Sequence, residues 1–483
     1  MDRTKELPLL PTGVPGLDGV LMGGLPTGNI YFLGGEPGTG KTTIGIQFLD
    51  EGRRRGERAM FVTLSQSAND LRRIADSHGI DLGGVEIKEI TALDLASSVD
   101  ERQSVLRTSK IELSTLAEQL HEIMAGSDAD RIVLDSLFEV RLLAGSSLEF
   151  RRELLLLRDL IVRSGSTALF LDYVDEYLGD RQLEALSNGA FLLEMDVPAF
   201  GSNMRSITVS KMRGRPFIEG RHDLAIRVGG VEVFPRVVPE LSPESLTHEQ
   251  ISCGIDELDH MLGGGLQPGT ACLVVGQSGT GKSTLATTYA HAAAQDGRRV
   301  AMFLFEERPE VFRRRSTDLG FEISDLEQDG KLALSHFDPA EVSPGEFSQA
   351  VVRAVEEGGA SVVVIDSLTG YLGALPNGEN LIAQLHSLLS YLSRRNILTI
   401  VTFTQKGLLS GDEGSEIDAS YLADSAILLR HQEVGGDLRR TITVIKKRHG
   451  DHEQAVREFL IGGRKVEVKD ATNLERRPLI AVA

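Results

Sequence analysis

The chain has 483 residues, 41% of them hydrophobic and 25% charged, with a formal net charge of −19. That length accommodates two or three domains, no run reaches the ~18 apolar residues that span a membrane, and acidity in both halves argues against nucleic-acid binding, which usually needs a basic half or stripe. Two cysteines, Cys253 and Cys272, are too few for a disulfide scaffold and suit a reduced, cytoplasmic setting. The opening Met1–Glu6 lacks the apolar core of a signal peptide.

In chain order, Gly13–Asp18 and Gly23–Gly28 lead into an apolar strand predicted over 29–34. Gly35-Glu36-Pro37-Gly38-Thr39-Gly40-Lys41-Thr42 follows, with Thr43 opening a predicted helix over 43–55. Strand, glycine loop and helix are the context in which backbone N–H groups cradle phosphates. Lys41 is placed to reach the β/γ-phosphates, and the Thr42 hydroxyl to hold Mg²⁺. Strands are predicted over 58–64, 131–135 and 167–171, and helices over 113–125 and 150–164. Asp135 ends the apolar run Ile132-Val133-Leu134 and is the expected carboxylate on the Mg²⁺ side. A late alternating segment, 206–211, suggests an edge hairpin and runs into Lys211-Met212-Arg213.

The pattern then repeats. Gly254–Asp259 and Gly264–Gly269 resemble the opening of the chain, and Gly276-Gln277-Ser278-Gly279-Thr280-Gly281-Lys282-Ser283, followed by Thr284, is a second phosphate loop. Lys41 and Lys282 lie 241 positions apart, too long a period for a solenoid and right for two whole domains. We expect residues 1–240 to form the first domain, the polar, turn-rich 241–247 a linker, 248–470 the second domain and 471–483 a short tail. Strands are predicted over 271–275, 299–305, 361–366 and 397–403, and helices over 284–290, 347–357 and 380–395. A second late segment, 441–447, precedes Arg448. Strands alternating with helices point to an α/β fold, a mainly parallel sheet covered on both faces in each domain.

The two copies differ in chemistry. Asp366 repeats Asp135, and Ser283 repeats Thr42 as the Mg²⁺-side hydroxyl. One strand on from the second loop, Phe305-Glu306-Glu307 places two carboxylates at a strand end. Glu306 is the candidate base for the attacking water, with Glu307 as its partner or a Mg²⁺-side helper. An exposed acidic turn is the plain alternative. At the same offset the first copy has Ser65 and Gln66, neither of which can be a carboxylate base. The expectation is ATP binding in both domains, with turnover mainly in the second. Lys211 with Arg213, and Lys446 with Arg448, end matching late strands. They are either cations offered to a neighbour's γ-phosphate or solvated basic strand ends.

These strings together, with Ser146–Leu154 and Val456–Ile461, resemble the KaiC family, the RecA-like circadian clock ATPase and autokinase, over nearly the whole chain. The resemblance implies two tandem RecA-like P-loop domains and a two-tiered homohexamer with ATP and Mg²⁺ between subunits. Lys211, Arg213, Lys446 and Arg448 would then point at a neighbour's nucleotide. It further implies autophosphorylation of two adjacent hydroxyl residues before the strand Ala423–Leu429, here Ser420 and Tyr421; the tyrosine departs from the family's usual Ser-Thr pair. A KaiB-like partner is compatible. A KaiA-type activator is not expected, because the family's longer tail after 475–478 has no counterpart here. The segment 93–110 has no clear match in the family. Two other classes stay open: a nucleotide-gated scaffold without autokinase activity, and a DNA-acting RecA relative, for which Arg53–Arg55 and Arg313–Arg315 are weak pointers.

Overall fold

A computed structural model describes residues 8–90, 105–174, 182–239, 249–373, 378–404 and 423–470. The chain divides into two compact units, Met1–Arg236 and Val237–Ala483. The expected linker, 241–247, the tail, 471–483, and both candidate phosphate acceptors, Ser420 and Tyr421, lie outside the described residues.

In unit 1 a sheet of nine described strands runs, in spatial order, Gly230–Phe234, Arg221–Arg227, Met204–Met212, Gly189–Asp196, Ile30–Gly35, Thr167–Asp172, Arg131–Asp135, Ala59–Thr63 and Glu86–Glu89. The strand feeding the phosphate loop is central. Its two neighbours are parallel to it, and the sheet turns antiparallel beyond Gly189–Asp196. Alternation sets the two faces. Tyr31 and Leu33 join Ile44 and Phe48 of the helix Lys41–Arg54 in one core. Ile30 and Phe32 face the other core, with Phe150, Leu154, Leu157 and Ile161 of the helix Ser147–Ser164. Each such buried side chain contributes about 1.5–3 kcal/mol.

Unit 2 repeats the order: Leu332–His336, Val300–Leu304, Val362–Asp366, Leu398–Thr404, Ala271–Gly276, Ser425–Val434, Asp437–Lys447, Arg457–Gly462 and Lys465–Asp470. Again one core lies on each sheet face. These are two tandem α/β units with mostly parallel sheets, as the alternation of strands and helices predicts, and they agree with the RecA-like domains that the resemblance implies. Cys253 and Cys272 are buried thiols, and desolvation pushes the Cys272 pKa up to about 12.

The late segments differ in detail from the expectation. They are hairpin strands, but not edge strands. Met204–Met212 is flanked on both sides, and so is Asp437–Lys447. Each sheet continues past them because a further short antiparallel pair, partly exposed and weakly patterned, closes the edge.

Candidate functional site

Each phosphate loop leaves the carboxyl end of the central strand, where open α/β sheets bind ligands. The loop glycines adopt conformations that side chains resist: φ is 82° at Gly38, 104° at Gly40, 79° at Gly279 and 101° at Gly281. A Cβ on Gly281 would also press on the Ile461 Cδ1 methyl at 2.5 Å and on the buried Phe459 ring at 2.8 Å, adding crowding to a φ that already favours glycine. Thr39 and Thr280 donate their hydroxyls back to the carbonyls of Glu36 and Gln277, tightening each loop. Lys41 and Lys282 begin helices of 14 residues, with Thr43 and Thr284 buried in the first turn. The lysines turn back over their own loops. Lys41 donates to the carbonyls of Gly35 and Glu36 at 2.6 and 2.7 Å, and Lys282 donates to Gln277 at 2.9 Å. Burial lowers both amine pKa values, opposed by Asp135, Asp172 and Glu36 in unit 1 and by Asp366 and Glu306 in unit 2.

The Mg²⁺-side pairs also form. Thr42 Oγ1 donates to Asp135 at 2.9 Å, and Ser283 Oγ donates to Asp366 at 3.1 Å. Both aspartates are buried, which raises their pKa against those hydrogen bonds. In unit 2, Thr402 adds a donor to Asp366 at 2.5 Å. An all-oxygen set of hydroxyl and carboxylate beside a phosphate cradle is what a hard divalent cation takes.

Glu306 and Glu307, adjacent in sequence, diverge in space. Glu306 Oε1 accepts from Ser367, the residue after Asp366, at 2.5 Å, so it stands beside the loop aspartate. Glu307 is gripped by Arg315 through contacts of 2.9–3.3 Å, and Arg315 lies over the Phe312 ring. Glu306 therefore lies against the residue that follows Asp366, while Glu307 is tied to the helix Pro309–Asp318 through Arg315. In unit 1, Ser65 is exposed and Gln66 closes a turn on Thr63.

The four strand-end cations stand away from their own loops. Lys211 is opposite Ala190, in register with Phe32, toward the edge of the sheet opposite the phosphate loop. Its amine donates to the carbonyls of Glu184 and Ser187, and Arg213 donates to Ala185. Lys446 donates to Ala423, and Arg448 pairs with Asp424 at 3.3 Å.

Sequence reasoning passed over several residues near the loops. Asp172 ends the strand beside the loop strand, opposite Gly34, and is fully buried. It is ion-paired to Arg141, which packs over Phe150. Desolvation raises the Asp172 pKa to about 6 despite Arg141. The predicted strand stopped one residue short of it, although "apolar run, then Asp", the pattern that marked Asp135, also describes Thr167–Asp172. The places of Arg141 and Asp172 are taken in unit 2 by Leu372 and Phe403, which pack against the core. Arg205 and Arg440, at matching places in the hairpins, donate to the loop carbonyls of Gly38 and Gly279 at 2.9 and 3.2 Å.

Comparison with known proteins agrees with this architecture. The family model described as "ATPase: KaiC" matches residues 10–238 and again 251–473. The chain is 28% identical over 476 residues to the circadian clock oscillator protein KaiC of Parasynechococcus marenigrum, covering 97% of this chain and 91% of that protein. It is 29% identical over 464 residues to the circadian clock protein KaiC3 of Synechocystis, covering 95% and 91%. It is also 26% identical over 479 residues to the KaiC of Parathermosynechococcus lividus, covering 98% and 87%. Two phosphate loops, each with its hydroxyl–aspartate pair on a RecA-like sheet, and two consecutive matches to one ATPase model give a single conclusion: the chain belongs to the KaiC family of ATPases, with two tandem domains.

Proposed function

We propose that this protein is an ATP-driven ring, a homohexamer with Mg-ATP between subunits, whose second unit carries most of the turnover and a serine autokinase and reverse phosphatase activity, serving clock-like or signalling control. The observation that carries the reading is the asymmetry between the units. Both have a complete phosphate cradle, but among the described residues only unit 2 has a carboxylate just past the end of the strand that follows the loop helix, Glu306, fixed on Ser367 beside Asp366.

Lys282 and the loop amides bind and orient the β/γ-phosphates. Ser283 and Asp366 would hold Mg²⁺, which when bound neutralises phosphate charge. Glu306 keeps Oε1 on Ser367 and has Oε2 left to take a proton from an attacking water, or from a hydroxyl acceptor. Lys211 with Arg213, and Lys446 with Arg448, stand near the strand ends away from their own loops, as cations directed to a neighbour's nucleotide would. Ser420 is the proposed phosphate acceptor, with Tyr421 as its longer neighbour. A KaiB-like protein is the candidate partner, and nucleic acid does not enter this reading. Among the described residues no helix is long and apolar enough to cross a membrane.

A phosphopeptide map after incubation with Mg-ATP, wild type beside Glu306→Gln, tests this. Phosphate on Ser420 in the wild type and its loss in the variant is the expected result. The tyrosine at 421, where the family usually has threonine, favours one second reading: a nucleotide-gated scaffold. Steady ATP turnover on an unmodified chain would establish that instead.

A further inference from the structure

Unit 1 lacks a carboxylate at 65 and 66, yet it has one that unit 2 does not. The stretch Asp135-Ser136-Leu137-Phe138-Glu139-Val140 matches Asp366-Ser367-Leu368-Thr369-Gly370-Tyr371 position for position. The backbone match is direct. Leu64 N donates to Asp135 O at 2.7 Å, and Phe305 N donates to Asp366 O at 2.9 Å. Leu137 and Val140 are buried, as are Leu368 and Tyr371. Glu139 therefore stands where unit 2 has Gly370, in the first turn of the helix after the aspartate strand.

Gly370 is glycine for a visible reason. A Cβ there would lie 3.2 Å from Glu306 Cγ and 3.3 Å from Glu306 Oε1. The two positions share one small volume, and in unit 2 the strand-end glutamate fills it. In unit 1 the strand end offers only the short, exposed Ser65, and a glutamate projects from the helix side. Glu139 is half-buried, and no hydrogen bond or ion pair to another described residue draws it elsewhere. A glutamate side chain reaches about one hydrogen-bond length beyond its Cβ, enough to place its carboxylate in the space that the Glu306 carboxylate takes in unit 2.

We propose that Glu139 is the water-orienting carboxylate of unit 1, delivered from the helix rather than from the strand end. The proposal rests on the reading that unit 1 binds ATP. In the step it serves, a water oxygen bonds to the γ-phosphorus. The bond from that phosphorus to the β,γ-bridging oxygen breaks, and its electron pair leaves on ADP. The water proton passes to the Glu139 carboxylate and from there to solvent, giving ADP and phosphate. Unit 1 is then a slow second hydrolase rather than an inert nucleotide holder, and its chemistry is separable from that of unit 2 by single substitutions.

The test uses the full chain with unit 2 silenced by Lys282→Ala, or by Lys282→Met, which keeps most of the buried side-chain stem, where the first variant folds poorly. Phosphate release then reports unit 1, and a fluorescent ATP analogue reports its occupancy. Adding Glu139→Gln is expected to cut the residual kcat about 10²-fold, a typical general-base contribution, with analogue affinity retained. Adding Ser65→Glu to that variant is expected to restore turnover, because the carboxylate returns from the other side of the same volume. Residual turnover indifferent to Glu139→Gln overturns the proposal, as does no residual turnover while the analogue stays bound. Analogue binding that survives a further Lys41→Ala refutes the ATP reading of unit 1 itself, and the proposal with it.

Discussion

Replacing Glu306 by glutamine changes one thing cleanly. The amide oxygen can still accept from Ser367 Oγ, now at 2.5 Å from the carboxylate, so the turn after Phe305 keeps its anchor. The loop, Lys282 and Asp366 keep their own hydrogen bonds, while Lys282 loses the nearby Glu306 charge that raises its pKa. What is lost is the negative charge and the proton affinity beside the γ-phosphate position. General-base contributions of 10²–10⁴-fold correspond to about 3–5 kcal/mol of barrier at ~1.4 kcal/mol per decade. The expected result, in a Lys41→Ala background that silences unit 1, is a kcat lower by at least about 10²-fold with nucleotide affinity nearly unchanged. Steady-state phosphate release and a fluorescent nucleotide titration measure the two quantities. Glu307→Gln is the internal control. It loosens the Arg315 grip, costing about 1 kcal/mol of stability for a partly exposed pair, and lowers kcat far less. A Glu306→Gln enzyme that turns over at the parent rate, or one whose loss lies wholly in KM, would refute the assignment of Glu306 as the base.

Lys282→Ala should remove most of the ATPase activity of the full chain and Lys41→Ala little of it; equal losses in steady-state turnover would contradict the asymmetry. The buried Arg141–Asp172 pair should respond to pH. With the native Asp172 pKa raised to about 6, the native state binds more protons than the unfolded chain above about pH 4. Its contribution to stability is complete at low pH and is lost as pH rises through 6, by at most ~3 kcal/mol for a shift of about two units. Replacing the pair with its unit 2 counterparts, Arg141→Leu with Asp172→Phe, should flatten that slope in thermal melts from pH 4 to 7 and leave stability at pH 7 equal or higher; a steep fall in Tm at pH 7 would show the pair to be net stabilising.

The parts of the site that could be read in advance are those where chemistry acts on contiguous residues. A phosphate cradle needs its glycines, lysine and hydroxyl in one short string, so Gly276–Ser283 and Gly35–Thr42 declare themselves, and the 241-residue offset exposes the duplication. Pairings made through the fold do not. Arg141 and Asp172 are 31 positions apart, and only the sheet brings them together. Glu306 and Glu307 look equivalent in sequence, but the turn after the strand sends one to Ser367 and the other to Arg315. The relation of Glu139 to Gly370 is invisible until the volume beside Glu306 is measured. The outer strands were missed for another reason. Arg221–Arg227 and Lys465–Asp470 are short and largely polar on one face, so neither propensity nor an apolar run marks them.

The hairpin strands have a mechanical consequence. Met204–Met212 carries Arg205, bonded to the loop carbonyl of Gly38, near one end, and Lys211 near the other, with Arg213 just beyond. Asp437–Lys447 repeats the layout with Arg440 on Gly279 and then Lys446, with Arg448 just beyond. Six residue steps from the loop arginine to the far lysine span about 20 Å of extended chain; each segment is paired along its length on one side, with a one-residue bulge just before the lysine, and on the other side only near its loop end. In the proposed ring each such strand is a push-rod. One tip touches its own nucleotide loop and the other reaches toward the next subunit's, so strain would travel around a tier at constant hand. Arg440→Ala should then reduce cooperativity of turnover between subunits more than it reduces nucleotide affinity, measured as a lower Hill coefficient at a similar half-saturation.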